Sequence, residues 1–198
     1  AVILDYLSLG YVNSDMSKFK GKAIAQAIGT DYFTLLELVP KRGVDLEIQD
    51  TVYIGKGKRD QIYKVLGKLD YENLTATSRI ELEYSIREIV NNNEEKFVDF
   101  FNTAGAISTR LHKLELIPGI GKKYMWEIVE ARKEKPFESF EDITTRIPSL
   151  NNPAEMIVNR VKQELDTTTA KKGKKKYYLF TPIPKTQKKH RNNRNQRK

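Results

Sequence analysis

The chain has 198 residues, 39% of them hydrophobic, and a formal net charge of +9 from 35 Lys and Arg against 26 Asp and Glu. That length suits one medium domain or two small ones plus a tail. The absence of cysteine excludes disulfides, thiolate zinc sites and iron–sulfur clusters. The two histidines, His112 and His190, lie in different regions and suggest no metal pair. No apolar run approaches a membrane span and nothing reads as a signal peptide. A cytoplasmic protein with no membrane partner, no metal, no cofactor and no small-molecule substrate is therefore expected. A first residue other than methionine is expected of a processed or trimmed chain. The charge is unevenly divided: from Asp166 onward twelve Lys or Arg face one acid, whereas the preceding residues are slightly acidic in sum. A polyanion would be drawn chiefly by the tail.

Residues 1–70 read mainly as strand. Residues 1–7, 32–39, 51–54 and 62–66 are β-rich, and glycine turns separate several of them. Short strands with no long helix predict a small barrel of OB or SH3-like size. The loop after residue 54 carries Lys56, Lys58 and Arg59, a candidate phosphate contact. Gly55-Lys56-Gly57-Lys58 lacks the length and the Ser/Thr of a P-loop.

Residues 71–104 change period. Leu82, Ile86, Ile89 and Val90 fall on one helical stripe, and Asn91-Asn92-Asn93 breaks it. Phe97, Phe101 and Ala104 begin a second helix that Gly105 can cap. The segment is net acidic, so it is expected to be a structural bridge with its phenylalanines in the core.

The most informative motif follows. Residues 116–123 read Leu-Ile-Pro-Gly-Ile-Gly-Lys-Lys. Gly119 and Gly121 allow positive φ and let a phosphate approach the main chain. The helix beginning at Lys122 offers unpaired N–H groups and the positive end of its dipole. Ser108 is expected to cap a first helical arm running to Leu116. Met125, Ile128 and Val129 form the inner face of the second arm, and Trp126 is expected to extend that face or seal it against the amino-terminal half. Ser139 can cap a short connecting helix. Ile147-Pro148-Ser149-Leu150-Asn151 echoes the first turn without its glycines, and Ile157, Val161 and Leu165 complete a degenerate second unit.

Residues 105–165 resemble the paired helix-hairpin-helix module of the competence DNA-receptor type. Residues 32–40 (YFTLLELVP), 52–56 (VYIGK), 94–101 and 116–127 (LIPGIGKKYMWE) carry a wider resemblance. Over roughly residues 1–165 the chain is similar to an archaeal family catalogued as a domain of unknown function. That resemblance implies an OB-like half before the helix-hairpin-helix half, and its gene neighbourhoods hint at RNA. The expected fold class is thus α+β: an OB-like β-barrel (1–70), an acidic helical bridge (71–104), a paired helix-hairpin-helix domain (105–165) and a disordered basic tail (166–198).

The expected function is non-enzymatic RNA binding, with rRNA favoured over DNA and ribosomal proteins as further candidate partners. The candidate contacts are Gly119, Ile120, Gly121, Lys122 and Lys123 at the turn, and Lys56, Lys58 and Arg59 in the loop. In the tail they are Lys171, Lys172, Lys174, Lys175, Lys176, Lys188, Lys189, Arg191, Arg194 and Arg197, with Tyr177 and Tyr178 opening an apolar patch that runs to Pro184 and either docks on the body or, as favoured here, wedges between RNA elements. Two readings compete. One is a DNA repair or recombination accessory. The other is a glycosylase-lyase using Lys123 as a Schiff-base nucleophile with Glu141 or Asp142, which the strand-rich first half argues against.

Overall fold

The computed structural model describes residues 1–11, 21–166 and 176–183. Four antiparallel strands form a meander in the order β1 (Val2–Leu7), β2 (Ile24–Ile28), β3 (Leu35–Pro40) and β4 (Ile62–Lys68). The free edge of β1 is covered by residues 49–52. Ile3 N–H donates to the Asp50 carbonyl at 2.9 Å, Gln49 N–H to Ile3 at 2.8 Å, and Val52 N–H to Ala1 at 2.8 Å. The strand expected over 51–54 is reduced to this edge contact, with one bridge between Val2 and Thr51.

Strand β2 was not expected, yet all five of its residues are buried. Its alanines and glutamine carry weak strand propensity, and burial on both faces erases the alternation that marks a half-exposed strand. Ala25 and Ala27 face one cluster with Ile3, Leu38, Leu46, Val52 and Ile62. On the other face, Gln26 donates to the Tyr11 hydroxyl (2.9 Å) and the Asn73 carbonyl (3.0 Å), and accepts from Thr75 N–H (2.9 Å). A buried amide needs such partners, and these tie the sheet to the start of the first helix. The strand expected from residue 32 starts only at Leu35, because Phe33 takes φ +50 and drops its ring into the helical core, 6.1 Å from that of Phe97.

Five helices follow among the described residues: α1 (Ala76–Asn92), α2 (Glu94–Thr103), α3 (Lys122–Glu134), α4 (Phe140–Arg146) and α5 (Pro153–Leu165). Helix α1 is capped by Thr75, whose hydroxyl accepts from Ser78 N–H at 3.0 Å and donates to Asp5 at 2.6 Å. It packs on β1 and β2 and on α5. Leu82, Ile86, Ile89, Val90, Phe97 and Phe101 are buried as the stripe predicts. They share one cluster with Leu4, Ile28 and Leu35 of the sheet and with the inner faces of α3, α4 and α5. The core is therefore continuous across residue 70.

The first helical arm is not formed. Residues 106–112 make a small ribbon, β5 (Ala106–Ser108) and β6 (Leu111–His112), and Leu114–Leu116 is a single 3-10 turn. The segment is too short to hold an α-helix by propensity, and its side chains capture the backbone in another form. The Glu115 carboxylate accepts from His112 N–H at 2.7 Å, and His112 Nδ1 accepts from Leu114 N–H at 3.2 Å.

Residues 176–183 return to the body as a strap. Phe180 places its ring 5.5 Å from that of Phe97 and 5.0 Å from that of Phe100, both edge to face, and Leu179 packs on the same cluster. This departs from the disorder expected of the tail and matches the docked placement of its apolar patch: Tyr177 and Tyr178 begin a segment folded against the protein. The apolar side chains find a hydrophobic partner in their own chain.

Candidate nucleic-acid interface

Pro118 and Gly119 set the turn. Proline pre-sets φ at its position, and Gly119, at φ +90, occupies the one that demands a left-handed backbone, which gives a type II turn. Ile120 N–H closes it on the Ile117 carbonyl at 3.0 Å. Ile117 and Ile120 are both buried and pin the turn to the core from either end, while Gly119 and Gly121 stay exposed. Gly121 differs from expectation. It is the N-cap of α3 with φ −85 and ψ −179, extended backbone that any residue adopts, and no atom lies within 4 Å of where a Cβ would stand. Nothing in the fold requires glycine there.

The start of α3 is bare. Its first intrahelical bond runs from Met125 N–H to the Gly121 carbonyl at 2.9 Å, and its N-cap contributes no side-chain hydrogen bond. The N–H groups of Lys122, Lys123 and Tyr124 have no partner among the described residues, and the first turn holds no acid. The other helices differ. Thr75, Ser139 and Asn152 cap α1, α4 and α5, and Glu94 and Glu95 occupy the first turn of α2. Lys122 and Lys123 stand exposed at the same mouth. Lys123 is 82% exposed and only 3.8 Å from Glu127, a surface pair too weak to neutralise it. Uncapped N–H groups, the positive end of the helix dipole and the charge of two exposed lysines in the first turn suit this helix start to an anion.

The second turn repeats the first in outline. Leu150 N–H closes on the Ile147 carbonyl at 2.9 Å, and Ile147 and Leu150 are buried like their counterparts. Neither Ser149 nor Asn151 takes positive φ, and α5 begins one residue later in the repeat, with Asn152 as its cap. Asn152 accepts from Glu155 N–H at 3.0 Å, and Ser149 donates to Glu127 at 3.2 Å. This helix start is filled by its own side chains.

The other candidates are dispersed. Lys56 and Lys58 are exposed, in a loop whose neighbours Val52 and Ile54 belong to the second hydrophobic cluster. Arg59 turns back to donate to the Gly55 carbonyl at 2.9 Å. The Tyr53 ring lies across this loop, so close to Gly55 that a Cβ there would meet its hydroxyl at 2.3 Å, and Gly57 N–H donates to the same hydroxyl at 3.3 Å. Lys176 donates to the Asp166 carbonyl at 3.0 Å, and burial lowers its pKa against the opposing pull of Asp166 and Glu164. Tyr177 has its carbonyl held by Arg160, and the Tyr178 ring lies 5.5 Å from Lys176 Nζ. Lys171, Lys172, Lys174, Lys175, Lys188, Lys189, Arg191, Arg194 and Arg197 lie outside the described residues. Of the lyase partners, Asp142 is taken up by Arg146 at 3.3 Å and by Glu138 N–H at 3.2 Å.

Trp126 neither extends the inner face nor seals it; it is 58% exposed, one turn along α3 from the two lysines. Two features went unread in the sequence. One is a buried clamp in α5, where Glu164 accepts from Arg160 Nε (2.8 Å) and from the N–H groups of Leu179 (2.7 Å), Phe180 (3.0 Å) and Thr181 (2.9 Å). Arg160 also donates to the Leu116 carbonyl at 3.1 Å, the residue before the glycine turn. The other is an open groove beside Pro118, between α1 and α5.

Residues 1–182 match a family described as a protein of unknown function, DUF655. The chain belongs to the DUF655 family. It is 46% identical over 180 residues to the uncharacterized protein MJ0038 of Methanocaldococcus jannaschii, covering 91% of this chain and 78% of that protein. It is also similar to the crystal structure of the DUF655 protein Af1531 from Archaeoglobus fulgidus. There the TM-score is 0.79 at 42% identity, over 91% of this chain and 98% of the other. The DUF655 match takes in the strap through residue 182, beyond the resemblance read over residues 1–165. Among the described residues no helix is long and apolar enough to cross a membrane, and no group of three or more His, Asp or Glu could hold a metal ion.

The turn's lead-in should be sensitive to acid. Burial, reinforced by Arg132 and Lys113 and opposed by Glu115, lowers the His112 pKa below its ordinary 6.5. The geometry agrees, since Nδ1 must keep a lone pair to accept from Leu114 N–H. The folded state thus favours neutral imidazole. Below pH 6.5 the unfolded chain binds the proton more readily, and stability falls until the folded pKa is passed. Acidifying from about pH 7 to about pH 5 should therefore lower the melting temperature more in the wild type than in His112→Asn, whose amide oxygen accepts without titrating. Equal slopes in the two proteins would show that His112 is not the group responsible.

Proposed function

We propose that this DUF655 protein is a non-enzymatic RNA-binding protein that sits on a ribosomal subunit or its precursor through contacts to the rRNA backbone, with neighbouring ribosomal proteins as further partners. The bare start of α3 carries this reading: three backbone N–H groups have no partner there among the described residues and two exposed lysines occupy the same turn, while the equivalent start of α5 is filled by Asn152 and Glu155. In this reading the sheet is an OB-like barrel, and residues 105–165 are a paired helix-hairpin-helix module whose second turn serves packing. The Lys- and Arg-rich residues beyond 183 supply long-range attraction, and the turn supplies one fixed contact.

The test is sedimentation of a native archaeal extract through sucrose gradients at low and high salt, followed by detection of the protein. Co-migration with one subunit through moderate salt is expected. A position at the top under both conditions would overturn ribosome association, and preference of the purified protein for branched duplex DNA over structured RNA would select the repair reading. Affinity for structured RNA should fall about 10³-fold between 50 and 200 mM salt if about six phosphates are neutralised. A chain truncated after residue 183 should keep its melting temperature and lose most of that salt dependence. An unchanged salt slope after truncation would remove the tail from the interface. The cut belongs there, since residues 176–183 are part of the folded body.

A further inference from the structure

The groove beside Pro118 has a volume of about 460 Å³ and runs between α1 and α5. It falls within the range of small-ligand sites and has room for a mononucleotide. Its walls differ in chemistry. On the α1 side the Arg79 guanidinium lies over the Tyr71 ring at 5.8 Å and donates to the Glu72 carbonyl at 2.8 Å. Arg79 is held there without a carboxylate partner among the described residues. On the α5 side Asn159 and Gln163 stand one helical turn apart, and neither amide has a hydrogen-bond partner among the described residues. Buried Leu82 contributes an apolar surface. Glu83 also lines the groove, but it is engaged by Lys162 and Arg87, which hold its carboxyl below the usual range.

A nucleobase matches these walls: a flat ring with apolar faces and an edge of paired donors and acceptors. Side-chain amides present a donor and an acceptor together, the pattern suited to a base edge. Aromatic rings and guanidinium planes accept a stacked base of any identity. Pro118 places the groove directly against the turn, since it is the residue before Gly119. We infer that the groove takes one unpaired nucleobase of the strand whose phosphate lies at the start of α3. Asn159 and Gln163 meet its edge, and Tyr71 with Arg79 meets its face. This rests on the reading of α3 as an RNA-backbone site and adds to it a requirement for single-stranded RNA next to the clamped phosphate.

The test uses the full chain labelled for NMR and the four ribonucleoside 5′-monophosphates, with ribose 5-phosphate as the base-free control. The side-chain amide signals are assigned through Asn159→Ala and Gln163→Ala. The expected result is that both amide signals, and the Arg79 side chain, shift with at least one nucleotide and not with ribose 5-phosphate. Binding of a single-stranded oligoribonucleotide should also weaken roughly tenfold in Asn159→Ala/Gln163→Ala, as loss of a base contact predicts, with its salt slope and melting temperature unchanged. Equal shifts with ribose 5-phosphate would overturn the base site. Shifts confined to backbone amides of residues 121–124 would sink the groove and leave the backbone reading standing. No shift at either place, with no oligonucleotide binding, would overturn both.

Discussion

Replacing Glu164 with Ala should destabilise the protein by about 3–5 kcal/mol, the range for breaking a buried ion pair from one side, and release residues 176–183 from the body. Glu164 is 2% exposed and is the acceptor for one guanidinium N–H, three backbone N–H groups and the Thr181 hydroxyl. Its removal leaves Arg160, also buried, without a counter-charge, and it takes the acceptor from three backbone N–H groups and the Thr181 hydroxyl at once. Phe180 then loses the backbone anchor that sets its ring against Phe97 and Phe100. The two residues should be strongly coupled: Phe180→Ala should cost far less in the Glu164→Ala background than alone, because the strap has already left. Denaturant midpoints for the four proteins, with hydrogen exchange at residues 179–181, decide it. Additive losses, or continued protection of those amides without Glu164, would show that apolar packing alone holds the strap. Glu164→Gln should fall between, since it keeps an acceptor oxygen but loses the charge facing Arg160.

The clamp was legible in part. Ile157, Val161 and Leu165 mark the inner stripe of α5, and Arg160 and Glu164 lie on the same stripe, spaced to pair with one another. An acid on a buried stripe signals a buried partner, but its backbone partners, Leu179 to Thr181, lie 15 to 17 residues away in sequence, and no local period connects a helix to a returning extended segment. The Tyr177–Phe180 cluster was visible as apolar; what it covered was not, because a short apolar run fits a core, a partner or a base equally well.

Elements built on a period came through: the buried face of α1, the phenylalanines of α2, and the inner residues Met125 and Ile128 of α3. Elements without one did not. Strand β2 is buried on both faces and rich in alanine, so neither alternation nor propensity marks it. The ribbon of β5 and β6 replaced an expected helix because His112 and Glu115 bond the backbone locally, a choice that depends on geometry and not on hydrophobic spacing. At the turn, the proline and both glycines were read as a unit, but the structure divides them. Gly119 serves the backbone and Gly121 does not.

That division permits a substitution with opposite effects on folding and binding. Gly121→Asp should raise stability by about 0.5–1 kcal/mol, as a carboxylate at an N-cap accepts from the first-turn N–H groups and faces the positive end of the dipole. The backbone there already has the extended conformation that N-cap residues adopt, and the new Cβ meets nothing within 4 Å. The same carboxylate would occupy the N–H groups of residues 122–124 and repel a phosphate, so RNA affinity should fall at least tenfold, an order-of-magnitude loss consistent with one charge-assisted site. Gly121→Ser should stabilise less and bind better than Gly121→Asp, since it caps without the charge. Gly119→Ala should do the reverse: forcing a Cβ into φ +90 costs about 1–3 kcal/mol, with only the mobile end of Met156 at 3.4 Å to make room, while the phosphate-facing groups are left intact. Thermal melts and RNA titrations of the three variants separate the roles. A Gly121→Asp protein that is more stable and binds RNA as well as the wild type would leave α3 an ordinary uncapped helix, and the tail would have to account for binding alone.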